Sequence, residues 1–181
     1  MTNASCKLRQ VRRACGGGFT AFEALIAAAI LAFLTATVST ALMAGRAQSR
    51  VARDTVGASM LGQALMEEVM RLPVTDPQGY KTMGPDPGET RATFNAVDDY
   101  DGYTDGPGTV ADGHGNYTLI TDLAGNAYPT AYQGFIRKVS VQGVSYTPTG
   151  WTRTISGMLV TVTVSSADGR TLITLQRVAC N

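Results

Sequence analysis

The sequence predicts an α+β fold in which a long N-terminal α-helix packs on a small antiparallel β-sheet. Residues 24–45 contain no charged side chain, and the polar segment that follows has no proline before Pro73. Segments rich in β-branched and aromatic residues come only after residue 116, and such segments are typical of strands. With 181 residues, the chain has room for one modest domain beside the helix, since domains usually take about 100 to 200 residues.

The composition is that of a globular protein without a strong overall field. Hydrophobic residues make up 44% of the chain, charged residues make up 16%, and the formal net charge is +1. Lys138 and the scattered arginines form no basic stripe, so DNA is not an expected partner. Function must therefore be inferred from local features.

The N-terminal residues 1–18 predict a basic leader in front of a membrane-spanning segment. The leader contains lysine and arginine but no acidic residue, which by the positive-inside rule keeps this end in the cytoplasm. At about 1.5 Å per residue, a helix over residues 24–45 can cross a hydrocarbon core of about 30 Å. The glycines at 16–18 precede the apolar segment, whereas a secretory signal places its small residues after it. Cleavage at these glycines would retain the hydrophobic helix.

The run Gly18-Phe19-Thr20-Ala21-Phe22-Glu23, followed by the apolar segment, resembles the class III signal of type IV pilins and type II secretion pseudopilins. The resemblance covers about residues 13–45. It implies a pilin-like fold, cleavage after Gly18 by a prepilin peptidase, and N-methylation of Phe19. It also implies a single-pass protein of the bacterial inner membrane whose C-terminal domain faces the periplasm before assembly into a periplasmic or surface filament.

Glu23 is the most informative residue of this motif. A carboxylate in a membrane helix costs about 2.5 to 3.5 kcal/mol on insertion scales, so it needs a compensating partner. The resemblance implies that Glu23 attracts the charged N-terminus of a neighbouring subunit during assembly. The alternative is a favourable interaction with its own helix dipole, worth about 0.3 to 1 kcal/mol. The implied partners are other pilin or pseudopilin subunits, the inner-membrane assembly platform and the lipid bilayer.

We expect the whole helix to cover residues 19–72. Its second half, after about residue 45, is amphipathic. Glu67, Glu68 and Arg71 are expected on its solvated face. Gly57 and Gly62 weaken the helix and are expected to allow bending or close contact. Residues 63–73 also resemble the stalks of minor pilins and minor pseudopilins. Apolar residues recur every three or four positions and predict one packed face: Ala58, Leu61, Leu65, Val69 and Leu72.

Residues 73–181 are predicted to form an exposed C-terminal domain. Residues 73–116 are rich in glycine, proline and aspartate and are expected to form a long loop with turns. The sheet is expected over residues 117–179, with a hairpin turn at Asp168-Gly169. A half-buried strand is expected from the alternation of one set of residues, Met158, Val160, Val162 and Val164, with another, Leu159, Thr161, Thr163 and Ser165. The candidate strands are residues 117–121, 135–144, 155–165 and 170–178.

The aspartates of the long loop are a candidate metal site. Asp98, Asp99, Asp101 and Asp105 offer oxygen atoms at the short spacing that calcium sites use, although they do not form an EF-hand loop. The alternative is a solvated or hydrogen-bonded turn, for which aspartate and glycine are well suited. No other cofactor is expected. His114 is the sole histidine and is flanked by glycines, so the sequence does not predict an enzyme.

Cysteines and aromatic residues give weaker indications. Cys6, Cys15 and Cys180 have neither zinc-site nor CxxC spacing. A lipoprotein acceptor cysteine follows an apolar core, whereas Cys15 follows Arg12, Arg13 and Ala14, which argues against lipidation. Cys180 is expected to pack as a small hydrophobe. Core packing rather than a binding surface is expected for the aromatic residues around the strands: Tyr128, Tyr132, Phe135, Tyr146 and Trp151.

Together these features predict a structural subunit, of the minor class, in a type IV pilus-like or type II secretion pseudopilus filament. Within the same family, the loop and sheet could instead form a binding module for a secreted substrate or a surface. A membrane-tethered periplasmic enzyme is the remaining alternative, and no catalytic set of residues supports it.

Overall fold

The computed structural model describes residues 20–79, 82–109, 116–147, 149–150 and 152–180. It confirms the predicted α+β class, with one long helix and a mainly antiparallel sheet. Short 3-10 helices lie at Asp98–Tyr100 and Thr130–Tyr132. The chain divides into two compact units between Ala47 and Gln48. The main elements are α1 (Ala21–Val69), β1 (Thr104–Asp105), β2 (Asn116–Tyr117), β3 (Phe135–Tyr146), β4 (Ile155–Ser166) and β5 (Thr171–Cys180).

The part of α1 in the first unit is long and apolar enough to span a membrane. Its leucine, isoleucine and phenylalanine side chains are exposed. Its hydroxyl groups are satisfied within the helix: Thr35 donates to the carbonyl of Ala32 at 2.9 Å, and Ser39 donates to the carbonyl of Thr35 at 2.8 Å. Internal satisfaction of polar groups is what a lipid environment requires.

The part of α1 in the second unit packs on the sheet. The predicted apolar face is confirmed, since Ala58, Leu61, Leu65 and Val69 are fully buried. Gly62 allows a close approach, because a Cβ atom there would lie 3.2 Å from side-chain atoms of both Leu175 and Val164. Regular helix ends at Val69, and turn hydrogen bonds continue to Leu72, where the sequence placed the helix end.

The sheet has the strand order β2-β1-β3-β4-β5. Neighbouring strands from β1 to β5 in this order are antiparallel, whereas β2 pairs with β1 in parallel. The alternation in β4 is confirmed by the burial of Val160, Val162 and Val164. The predicted hairpin turn is also confirmed, because Gly169 adopts a φ of 85° and its N–H donates to the carbonyl of Ser166 at 2.8 Å.

One sequence-based expectation about this domain needs correction. The expected strand over residues 117–121 is confirmed only at Tyr117, the last residue of β2, after which Thr121 forms an isolated bridge with Ala127. The long loop before the sheet contributes to the core through its apolar and aromatic side chains, while its aspartates and glycines provide turns. The buried side chains from this segment are Phe94, Val97, Tyr100 and Tyr103.

Gly106, directly after β1, provides a test of how closely β1 and β3 pack. Its φ is 123°, and a Cβ atom would lie 2.3 Å from the carbonyl oxygen of Phe135. Gly108 also has a positive φ, but a Cβ atom there would meet no atom within 4 Å. We expect Gly106→Ala to lower the free energy of unfolding by about 1 to 3 kcal/mol more than Gly108→Ala, because only the first substitution forces the strands apart. Chemical denaturation of both variants in detergent measures this difference, and equal losses would contradict it.

Candidate functional site

The predicted N-terminal site lies partly outside the described residues, because Gly18 and Phe19 precede them. Thr20 and Glu23 are described and form a reciprocal cap at the start of α1. The Glu23 N–H donates to Thr20 Oγ1 at 3.3 Å, and the Thr20 N–H donates to Glu23 Oε2 at 3.4 Å. This is a capping box, in which a helix end satisfies its own free donors. The carboxylate of Glu23 nevertheless remains exposed and accessible to a partner.

The four aspartates predicted as a metal site are not brought together. Asp98 and Asp99 lie side by side in the short 3-10 helix and are buried. Asp101 accepts a hydrogen bond from the N–H of Val141 at 2.8 Å, which ties the loop to β3. Asp105 is fully buried in a separate ion pair with Arg137. The sequence grouped these residues by spacing, whereas the fold gives them three different surroundings.

Asp105 belongs to a buried ionic network. The Nε of Arg137 donates to its Oδ1 at 2.9 Å, and the Nη2 of Arg137 contacts its Oδ2. The hydroxyl of Tyr103 donates to Oδ2 at 2.9 Å. Arg137 also donates to the carbonyl of Thr121 at 2.9 Å. The guanidinium therefore links β1 and β3 to the connection between β2 and β3, in which Thr121 lies.

The other half of the network is centred on Arg91, which joins Thr121 to α1. Arg91 donates to both carboxylate oxygens of Glu68 at 2.7 Å, in a bidentate pair. The hydroxyl of Tyr100 donates to Glu68 Oε1. Arg91 Nη1 lies 3.8 Å from Asp105 Oδ2 and so connects the two halves. The expectation of a solvated Glu68 was therefore wrong: its side chain is 12% exposed, because a distant arginine covers it.

Charge is balanced within this network, which consists of Glu68, Arg91, Tyr100, Tyr103, Asp105 and Arg137. Burial alone would lower the pKa of each arginine, but hydrogen bonds to Glu68 and Asp105 raise the pKa values of Arg91 and Arg137 above the ordinary value. Burial, followed by the nearby carboxylates, raises the pKa values of both tyrosines. Each carboxylate has a guanidinium partner, so the network stabilises the fold and offers no free acid or base for chemistry.

A second acidic group was not predicted as a set. Carboxylate oxygens of Asp86, Glu89 and Asp99 lie within 4.8 Å of one another, and we call these three residues the acidic cluster. The only residue it shares with the predicted calcium set is Asp99. No sequence signal identifies this cluster, because Asp86 and Glu89 stand in a proline- and glycine-containing turn that resembles any loop.

Other candidate residues have mixed outcomes. His114 and Trp151 lie outside the described residues. Phe135 is buried as expected, and Tyr128 and Tyr132 pack partly buried against the core. Core packing was wrongly expected for Tyr146, which is 67% exposed, and Cys180 is exposed rather than packed.

No family model, curated protein or solved structure matches this chain.

The buried ionic network predicts strong coupling between Asp105 and Arg137. We expect Asp105→Leu alone to cost about 3 to 5 kcal/mol in the free energy of unfolding, because it leaves a buried guanidinium without its carboxylate. The double variant Asp105→Leu/Arg137→Met should lose less than the single variant, since it removes both charges. Arg177→Met, at an exposed position of β5, serves as the control. Urea denaturation of these variants, of the wild type and of the Arg137→Met single variant measures the coupling. Losses in the double variant that equal the sum of the losses in the two single variants would contradict the prediction.

Proposed function

We propose that this protein is a structural subunit, of the minor class, in a type IV pilus-like or type II secretion pseudopilus filament. The observation that carries the proposal is an exposed glutamate, Glu23, in the first turn of a helix long enough and apolar enough to span a membrane. This helix directly follows the Gly18-Phe19 sequence that resembles a prepilin cleavage site. In this proposal the helix anchors the subunit in the bacterial inner membrane with its C-terminal domain in the periplasm.

The exposed side chains of the first unit support a role in assembly. Large apolar residues such as Phe22, Leu31 and Phe33 have no cover within the described residues of the chain. Exposed apolar surface of this extent indicates contact with lipid or with other proteins. A subunit that begins in the bilayer and is then extracted into a filament meets both conditions in turn, with neighbouring helices replacing the lipid.

The capping box gives Glu23 a role before assembly and leaves it free for a second role. In the single chain its carboxylate interacts with Thr20 at distances of 3.4 to 3.5 Å, which makes these hydrogen bonds long. A charged N-terminal amine from a neighbouring subunit would form a shorter, charge-assisted hydrogen bond with the same carboxylate. Assembly would exchange the weaker local contact for the stronger intersubunit contact.

A binding role in the same filament is the second candidate. An apolar surface lies on β3, β4 and β5, where Val144, Tyr146, Ile155 and Val178 are grouped around Gly157. Tyr146 is 67% exposed and Val178 is 50% exposed, although both are apolar residues of regular strands. Such a surface would suit contact with a secreted substrate or another surface, and it favours recognition by the sheet face.

Processing is the first consequence of the proposal that can be tested. We expect co-expression with a prepilin peptidase to yield a chain that begins at N-methylated Phe19, because cleavage after Gly18 removes the basic leader. Gly18→Ala should keep the precursor length. Intact mass and N-terminal sequencing of the membrane-extracted protein measure both results. A wild-type chain that stays unprocessed, or is cut beyond Gly45, would overturn the proposal.

Incorporation into filaments can be measured separately from cleavage of the leader, and it tests the role proposed for Glu23. We expect Glu23→Gln to be cleaved normally but to be at least about tenfold depleted from sheared filaments, since loss of the carboxylate charge removes the charge-assisted contact. Glu67→Gln, at an exposed position of α1, is the matched control and should enter filaments like the wild type. Immunoblots of the sheared and cell fractions measure this. Equal incorporation of both variants would contradict the role assigned to Glu23.

A further inference from the structure

The acidic cluster lies between two turns of the segment that precedes the sheet. Asp86 and Glu89 are the ends of one turn, in which the Glu89 N–H donates to the carbonyl of Asp86 at 3.0 Å. Asp99 lies in the 3-10 helix Asp98–Tyr100. The N–H of Gly84 donates to the carbonyl of Asp98 at 3.1 Å and joins the two turns. The backbone therefore fixes the distance between the carboxylates.

Hydrogen bonds orient the carboxylates of the cluster. Asp99 Oδ2 accepts the N–H groups of Asn95 and Ala96 at 2.8 and 2.9 Å. Glu89 Oε1 accepts from the side-chain amide of Asn95 at 2.7 Å, and Glu89 Oε2 accepts from the Asp86 N–H at 3.3 Å. The side chains are thus held in place before any ligand arrives, which lowers the entropy that binding must overcome.

Three oxygen atoms at this place lack a hydrogen-bond partner among the described residues. They are Asp86 Oδ2, Asp98 Oδ1 and Asn95 Oδ1, and all three are buried from solvent. The residues Asp86 and Asp98 are only 4% and 6% exposed. A buried acceptor without a partner costs about 1 to 3 kcal/mol, and more when it is charged. Unpartnered oxygens beside three converging carboxylates are the donor set that a positively charged ligand requires.

The electrostatics of the cluster agree with this geometry. Burial raises the pKa of Asp86, and the carboxylates of Asp76, Asp99 and Asp98 raise it further. Burial and Asp99 likewise raise the pKa of Asp98, and burial raises the pKa of Glu89. Like charges therefore repel one another at this place, and a bound cation would reverse that repulsion.

We propose that Asp86, Glu89 and Asp99 bind a calcium ion, with oxygen atoms of Asp98 and Asn95 as further ligands. This site differs from the one expected from spacing, since Asp101 and Asp105 are committed to Val141 and Arg137. It does not depend on the filament proposal, because its evidence lies wholly in the second unit.

Calcium fits better than the other common divalent metals. Calcium takes 6 to 8 oxygen ligands at about 2.3 to 2.6 Å, so two ligands across the ion lie up to about 5 Å apart. The carboxylate oxygens of the cluster lie within 4.8 Å of one another. Magnesium requires shorter distances and retains several waters, whereas zinc favours nitrogen and sulfur ligands. The oxygen-only donor set argues against zinc, and the gathering of oxygen atoms from five protein side chains favours calcium over magnesium, which is bound through fewer protein ligands.

The proposed ion would stabilise the core through one neighbouring residue. Tyr100 directly follows Asp99 in the 3-10 helix, and its hydroxyl donates to Glu68 on α1. An ion that holds Asp99 against Asp86 would fix this short helix and so keep Tyr100 in place. Calcium binding is then expected to raise the resistance of the second unit to unfolding.

Calcium titration of the full-length protein in detergent tests the site, after chelator treatment and dialysis. We expect calorimetry to show one ion per chain, and thermal unfolding to shift upward with CaCl2 but much less with MgCl2 at equal concentration. Asp86→Asn should weaken calcium binding about tenfold or more, because a charged ligand is lost. Glu67→Gln, which removes an exposed carboxylate elsewhere, should bind calcium like the wild type.

The melting temperature in chelator distinguishes ion binding from a purely structural role. Asp86→Asn removes one of several repelling charges, so without calcium it should melt at the same temperature as the wild type or higher. With calcium it should melt lower than the wild type. A variant that melts lower in both conditions and still binds calcium normally would overturn the proposal. The proposal would also be overturned if the melting temperature of the wild type did not change up to about 10 mM calcium, a concentration beyond the affinity range of known protein sites. An equal increase in melting temperature with magnesium would overturn it as well.

Discussion

Two buried arginines connect the helix, the sheet and the segment between them. Arg91 binds Glu68 of α1, and Arg137 of β3 binds Asp105 of β1. Each guanidinium has a carboxylate, and each also donates a hydrogen bond to the carbonyl of Thr121. Burying charges is unfavourable unless every partner is present, so this network is formed only when all three parts of the domain are assembled. The network therefore favours one conformation of residues 73–116, whose composition alone indicates an irregular loop.

The same arrangement positions the groups to which we assign functions in the second unit. Tyr100 and Tyr103 contribute hydroxyls to the network and rings to the core, and their rings lie 5.5 Å apart. The 3-10 helix Asp98–Tyr100 belongs to both, because it carries Asp99 of the acidic cluster and Tyr100 of the network. This short helix thus contributes both to the stability of the core and to the geometry of the proposed calcium site. A substitution that disturbs one of them should also affect the other.

Local patterns in the sequence predicted much of the fold. The buried face of α1, the alternation in β4 and the turn at Gly169 all depend on residues within a few positions of one another. The ionic pairs were not predictable in this way, since Glu68 and Arg91 are 23 positions apart and Asp105 and Arg137 are 32 apart. The acidic cluster also joins distant residues. The capping box was different, because Thr20 and Glu23 carry a recognisable local signal that sequence reasoning missed.

In the filament that we propose, Glu23 exchanges its own helix end for the N-terminus of a neighbouring subunit. In the single chain the carboxylate contacts Thr20 at the long distance of 3.4 Å. High-resolution electron cryomicroscopy of filaments that contain this subunit tests the exchange directly. We expect a neighbouring N-terminal amine within about 3 Å of the Glu23 carboxylate, a normal distance for a charge-assisted hydrogen bond. A filament in which the carboxylate still contacts only Thr20, with no amine near it, would contradict the proposed exchange.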